Sequence, residues 1–149
     1  MIYRVYTSCF GIGFIKKAPG TFGSLPGLLL GVALSRFSLL TSVAILAIIA
    51  AAAYIAIQKV EHQLDSHDPS EIVIDEVIGQ AIAVLWIEPK LYSLVLAFCL
   101  FRFFDILKPG PIGWVDKKIH GPLGTIGDDI IAGVFAGALA LFLHAKLFL

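Results

Sequence analysis

Residues 37–58 run for twenty-two positions without a charged side chain. As a helix rising about 1.5 Å per residue, the run is about 33 Å long, enough to cross the roughly 30 Å hydrocarbon layer of a bilayer. A backbone in hydrocarbon must satisfy its own hydrogen bonds, so the run reads as a transmembrane helix. Three further apolar runs, 18–35 (broken by Pro19 and Pro26), 91–101 and 130–145, reach spanning length only if polar residues at their ends are included. Such residues must face protein, water or a metal rather than lipid. Apolar residues make up 58% of the chain and charged ones 15%, against roughly 25% charged in soluble domains. A soluble bundle with a greasy surface is the weaker reading.

The 149 residues leave room for one domain, taken as 1–149. Residues 1–10 have neither the apolar stretch nor the cleavage site of a signal peptide, so the mature chain is expected to begin near Met1. Eleven basic and eleven acidic side chains cancel, which removes the counterion-release force that drives nucleic-acid binding. The two cysteines, Cys9 and Cys99, form no zinc or disulfide pattern. Basic residues flank the apolar runs too evenly to set an orientation.

Sustained period-two alternation is absent and the apolar runs are too long for strands. The expected fold is therefore all-α: a compact, membrane-embedded helical bundle with a carboxylate-rich site between helices. Asp68-Pro69-Ser70-Glu71 has the pattern of a capping box opening a helix to about residue 87. A second helix, 91–107, should stop where Lys108 precedes a proline. Residues 109–113 read as a rigid turn, and Thr125 as the N-cap of a last helix reaching about His144.

The acids are segregated: all eleven lie between Glu61 and Asp129. Asp75, Glu76, Asp105, Asp128 and Asp129 adjoin apolar helix, where an ionised carboxylate is costly unless paired or coordinating a cation. Asp75 shares a helix face with Gly79 and Ala83, and Asp129 shares one with Gly133 and Gly137. Small-residue strips let backbones approach closely, so two such helices can meet and bring their carboxylates together; the same strips could serve an oligomer. Oxygen-only ligands suit a hard cation such as magnesium, manganese or calcium. The alternative is that these acids pair with Arg102, Lys108 or Lys118.

Other polar groups cluster in 101–129. Arg102 and Asp105 are three apart on one helix face, with Lys108 a turn beyond. Asp116 and His120 stand at i, i+4 and project together if that piece is helical, which would favour His120 as a general acid or base. Near the N-terminus, APGTFGSLPG at 18–27 offers two hydroxyls, Thr21 and Ser24, and backbone N–H groups at a helix start, a form suited to anions. No P-loop, GxGxxG or GxSxG motif occurs.

Four stretches, PGTFGS (19–24), HDPSEIVIDEVIG (67–79), FRFFDILKPGPI (101–112) and DKKIHGPLGTIGDDIIAG (116–133), together resemble the phosphatidylglycerophosphatase A family of bacterial lipid phosphatases. Where that family usually reads HGG, Gly121 is here followed by Pro122. The resemblance implies magnesium-dependent removal of the terminal phosphate from phosphatidylglycerophosphate, in the inner membrane of a bacterium and by a multi-pass protein. It also implies a metal and catalytic set of Asp75, Glu76, Asp105, Asp116, Asp128 and Asp129. Thr21, Ser24, Arg102, Lys108 and His120 are then the residues expected to face phosphate. Two other classes compete: a small ion or proton carrier using intramembrane acids, and a non-catalytic membrane assembly subunit.

Overall fold

A computed structural model describes residues 1–66 and 69–148. Every regular element among them is helical: α1 (Ile2–Thr7), α2 (Pro19–Leu34), α3 (Leu39–Leu64), α4 (Ile74–Val84), α5 (Leu91–Leu107), α6 (Pro111–Lys118) and α7 (Pro122–Phe148), with one 3-10 turn at Ile12–Phe14.

α3 begins at an N-cap, Ser38, whose hydroxyl accepts the N–H of Thr41 at 3.2 Å. It carries the expected apolar run and continues through Lys59 and Glu61 to Leu64, a polar extension beyond the anticipated end. α3 and α7 are both long and apolar enough to cross a membrane. Only 28% of the apolar window of α3 is buried within the protein. Leu40 and Ile48 on α3 and Leu141 and Phe142 on α7 point outward. A core helix of a soluble protein would hide these groups; here they form the surface that hydrocarbon would solvate.

α4 occupies the centre. At eleven residues it is about 16 Å long, too short to span. α2 packs on one side of it and α7 on another, while α3 and α5 also touch it. Close approach depends on glycine. Gly23, Gly27 and Gly31 of α2 lie against Val73, Gln80 and Val84. Gly133 of α7 lies against the carbonyl of Gly79, where a methyl group on either would overlap the facing backbone. With no hydrophobic drive between helices in lipid, such backbone contact is what holds them. The strips on α4 and α7 are thus used within the chain, which removes them as the expected oligomer faces. A matching strip on α2 completes the arrangement.

Three local expectations need correction. α4 starts at Ile74 rather than after Asp68, which lies outside the described residues. Tertiary contacts claim residues 69–73 instead: the N–H of Val73 donates to the Thr7 carbonyl at 2.9 Å, and Arg4 forms a bidentate pair with Glu71 at 2.8 and 2.7 Å. Residues 111–113 are not turn but the first turn of α6, with Pro111 at its start. α7 likewise begins at Pro122, so Thr125 sits inside the helix rather than capping it. The end of α5 at Leu107 agrees with expectation, Lys108 being thrown into the left-handed region at φ 47°.

Candidate active site

A cavity of about 400 Å³ opens at the end of the bundle where α3 and α5 finish and α4 and α7 begin. Asp75, Glu76 and Asp129 form its floor, each offering a carboxylate oxygen, with all three oxygens within 4.8 Å of one another. Asp75 and Glu76 occupy the first turn of α4, where the helix dipole favours negative charge. Asp129 reaches them because Gly79 admits α7 so closely that an added methyl group would meet the Asp129 carbonyl. On the third side Gly20, at the start of α2, leaves room for the Glu76 carboxylate and the Arg102 guanidinium, both of which a side chain there would displace.

Three acids converging in a mostly buried floor are costly without a cation. Burial pushes the Glu76 carboxyl up to about 7; a hydrogen bond with Asp75 opposes the rise, the negative charge of Asp105 adds to it, and Arg102 opposes it. Oε2 of Glu76 and Oδ2 of Asp129 are buried with no hydrogen-bond partner among the described residues. An all-oxygen, part-unpartnered donor set fits a hard divalent cation.

The other two acids expected to bind metal line the same cavity but are engaged with cationic side chains. Asp105 forms an ion pair with Arg102 one turn earlier on α5. Asp128 accepts Nζ of Lys108 at 2.6 Å through Oδ2, while its Oδ1 takes the N–H of Asp129 at 3.1 Å. Lys108 also hydrogen-bonds Asp116. Burial works against the lysine charge, but its bonds to Asp116 and Asp128 outweigh that cost and hold the ammonium charged well above the ordinary lysine range. One cation is thereby fixed in the same cavity as the acidic floor.

Asp116 and His120 both line the cavity, though not as one helix face: α6 ends at Lys118, and an extended Ile119 carries His120 back to the rim. Thr21, Ser24 and Arg102 do not line it. Ser24 is fully buried, donates to the Gly20 carbonyl at 2.8 Å and accepts from Nη1 of Arg102 at 3.5 Å. Within the expected anion cradle at 18–27, Ser24 supports Arg102, Gly20 makes room for Glu76, and Pro19 lines the cavity. Glu61, from the last turn of α3, and Ser70 also reach the cavity. Their only sequence signal was position: Glu61 opens the acidic region, and Ser70 sits just before the Asp75-Glu76 pair.

The model of the phosphatidylglycerophosphatase A family matches residues 5–144. A protein named phosphatidylglycerophosphatase A from Haemophilus influenzae is 42% identical over 132 residues, covering 85% of this chain and 79% of its own. One of the same name from Escherichia coli is 33% identical over 136 residues, covering 90% and 78%. A Bacteroides thetaiotaomicron protein provisionally named a phosphatidylinositol-3-phosphatase is 34% identical over 135 residues, covering 85% and 84%. No solved structure matches the chain.

Proposed function

The chain belongs to the phosphatidylglycerophosphatase A family, and on that premise we propose that it hydrolyses phosphatidylglycerophosphate to phosphatidylglycerol and phosphate at the cavity just described, as a magnesium-dependent multi-pass protein of the bacterial inner membrane. The observation that carries this reading is the presence in one cavity of the clustered Asp75, Glu76 and Asp129 oxygens and of the Lys108 ammonium held by Asp116 and Asp128.

Asp75, Glu76 and Asp129 would hold the magnesium, which when bound inverts the field of the acids and polarises a phosphoryl oxygen. Lys108 meets the negative charge that develops on the transferring phosphoryl group, and its bonds to Asp116 and Asp128 fix Nζ at the rim before substrate arrives. Water adds to phosphorus, the bond from phosphorus to the glycerol oxygen breaks, His120 on the cavity wall gives that oxygen its proton, and the proton lost by the attacking water returns to His120 as hydrogen phosphate is released. Arg102 is a positioning residue: its pair with Asp105 neutralises an acid next to the floor.

A carrier of ions or protons would need acids stepped along the depth of the membrane. Here the carboxylates gather at one end of the bundle, which favours chemistry at an interface over conduction. Phosphate release from phosphatidylglycerophosphate in mixed micelles, with magnesium and with a chelator, tests the reading. Release with magnesium and none with chelator is expected. No release with any divalent cation overturns the phosphatase assignment, and release indifferent to chelation overturns the cation site. Phosphatidylinositol 3-phosphate in the same assay measures how far the headgroup matters.

A further inference from the structure

Two apolar cavities lie on the outer side of the bundle, away from the acids. One, about 430 Å³, sits between α3, α4 and α7 and is lined by residues that include Leu46, Ala47, Ile82, Trp86 and Val134. The other, about 530 Å³, lies along the seam of α3 and α7 and is lined by Ala51, Tyr54, Leu123, Ile126 and Gly127 among others. Ala50 and Ile130 border both, so the two form one continuous groove. Leu123, Ile126 and Gly127 of the second cavity stand on the first turns of α7, whose neighbouring face carries Gly124, Thr125 and Asp128 of the acidic cavity.

We propose that this α3–α7 groove seats one acyl chain of the lipid phosphomonoester while its phosphate occupies the acidic cavity, a proposal that rests on the phosphatase reading above. The lining is almost wholly apolar, and the two helices that form it are the ones long and apolar enough to cross a membrane. The groove runs about 16 Å along α7, from Leu123 to Val134, and about 24 Å along α3, from Leu39 to Ile55. One leaflet of a roughly 30 Å hydrocarbon layer is about 15 Å deep. Along α7 the groove therefore matches the depth of one leaflet, along α3 it runs further, and it descends from the end at which a headgroup would be held. A soluble apolar partner would have to reach it through hydrocarbon; a lipid tail is already there.

The test compares phosphatidylglycerophosphate with long acyl chains and the same headgroup on short, water-soluble chains. Ala50→Phe blocks the junction of the two cavities, and Ala47→Phe, at an exposed position on the groove wall, narrows it with little risk to folding. Ala52→Phe adds the same bulk on the exposed face of α3 outside the groove. The long-chain to short-chain ratio of kcat/KM should fall at least tenfold in the first two variants, mostly through KM, and stay at the wild-type value in the third. An unchanged ratio in both groove variants, with wild-type enzyme active on both lipids, overturns the groove and leaves the phosphatase reading intact. Wild-type enzyme inactive on both lipids overturns the phosphatase reading itself. Binding gives a readout independent of turnover: a brominated-chain phosphatidylglycerophosphate should quench Trp86 saturably in a Trp114→Phe background, and Ala47→Phe should abolish that saturation. Quenching that never saturates in the unblocked protein counts against a defined seat.

Discussion

Gly133 of α7 rests on the backbone carbonyl of Gly79 in α4, with no side chain between the two helices. That contact sets how far Asp129, four residues before Gly133, stands from Asp75 and Glu76, four and three residues before Gly79. Gly133→Ala should destabilise the protein by about 1–3 kcal/mol, the scale of overpacking a tight contact, and should raise the magnesium needed for half-maximal activity. Thermal unfolding in detergent and a magnesium activation curve on the same variant check both effects. A lowered unfolding temperature with an unchanged magnesium requirement would separate the helix contact from the acid geometry.

Asp75→Asn and Asp129→Asn each remove a charge from the floor with little change in volume. Hydrolysis should be lost in both while the helical circular dichroism is retained. Metal-free stability should hold or rise, since a crowded buried charge has gone. Near-normal turnover in both variants would rule out the assigned floor.

Lys108→Ala should lower kcat by about 10²-fold or more, the loss seen when one preorganised stabiliser of developing charge is removed. Because Asp128 would lose the Lys108 ammonium from its Oδ2, some stability should go as well, about 1–3 kcal/mol. Lys108→Arg, which keeps the charge, should recover stability more fully than rate. Full recovery of rate at saturating magnesium in Lys108→Ala would show that the lysine serves only to pair the two aspartates.

Glu76 supplies a pH signature. Its carboxyl is raised to about 7 by burial in the folded protein, against about 4.3 in an unfolded chain. Folding therefore favours the protonated acid, so its contribution to stability is full below about 4.3 and declines as pH rises toward 7. In chelator, the unfolding temperature should fall between pH 5 and 8. Saturating magnesium should flatten or reverse that slope by rewarding the ionised form. An unfolding temperature that climbs over this range without metal contradicts the buried placement of Glu76.

The outward apolar faces of α3 and α7 predict that the protein stays with the membrane pellet after high-salt and alkaline washes and is released by detergent. Recovery in the supernatant without detergent would contradict the membrane placement.

Local rules read the helices well where the chain decided its own conformation. The stop at Leu107 follows from Pro109 acting on Lys108, and α3 follows from a charge-free run. They failed where distant partners decided. Residues 69–73 carry good helix-start chemistry, yet the Thr7 carbonyl and Arg4 hold them in a non-helical turn against α1. The start at Pro111 was missed by reading a proline-rich stretch as turn rather than as a first helical turn, and the start at Pro122 by taking Thr125 as the cap. Within the site, the Asp75, Glu76 and Asp129 convergence was legible because glycine spacing marks a close helix contact. The inward role of Ser24 and the arrival of Glu61 were not, since each depends on which neighbour α2 or α3 meets.

The placement of α4 also constrains biogenesis. Asp75, Glu76 and Gln80 on a helix of about 16 Å cannot enter hydrocarbon alone, and two further helices must be synthesised before α7 exists to receive them. Until α7 is in place α4 has α2 to pack against but not the helix that carries Asp129. The acidic floor comes into being at that last step. A nascent chain truncated before α7 carries all of α4 but lacks Asp129, and with it the third side of the floor.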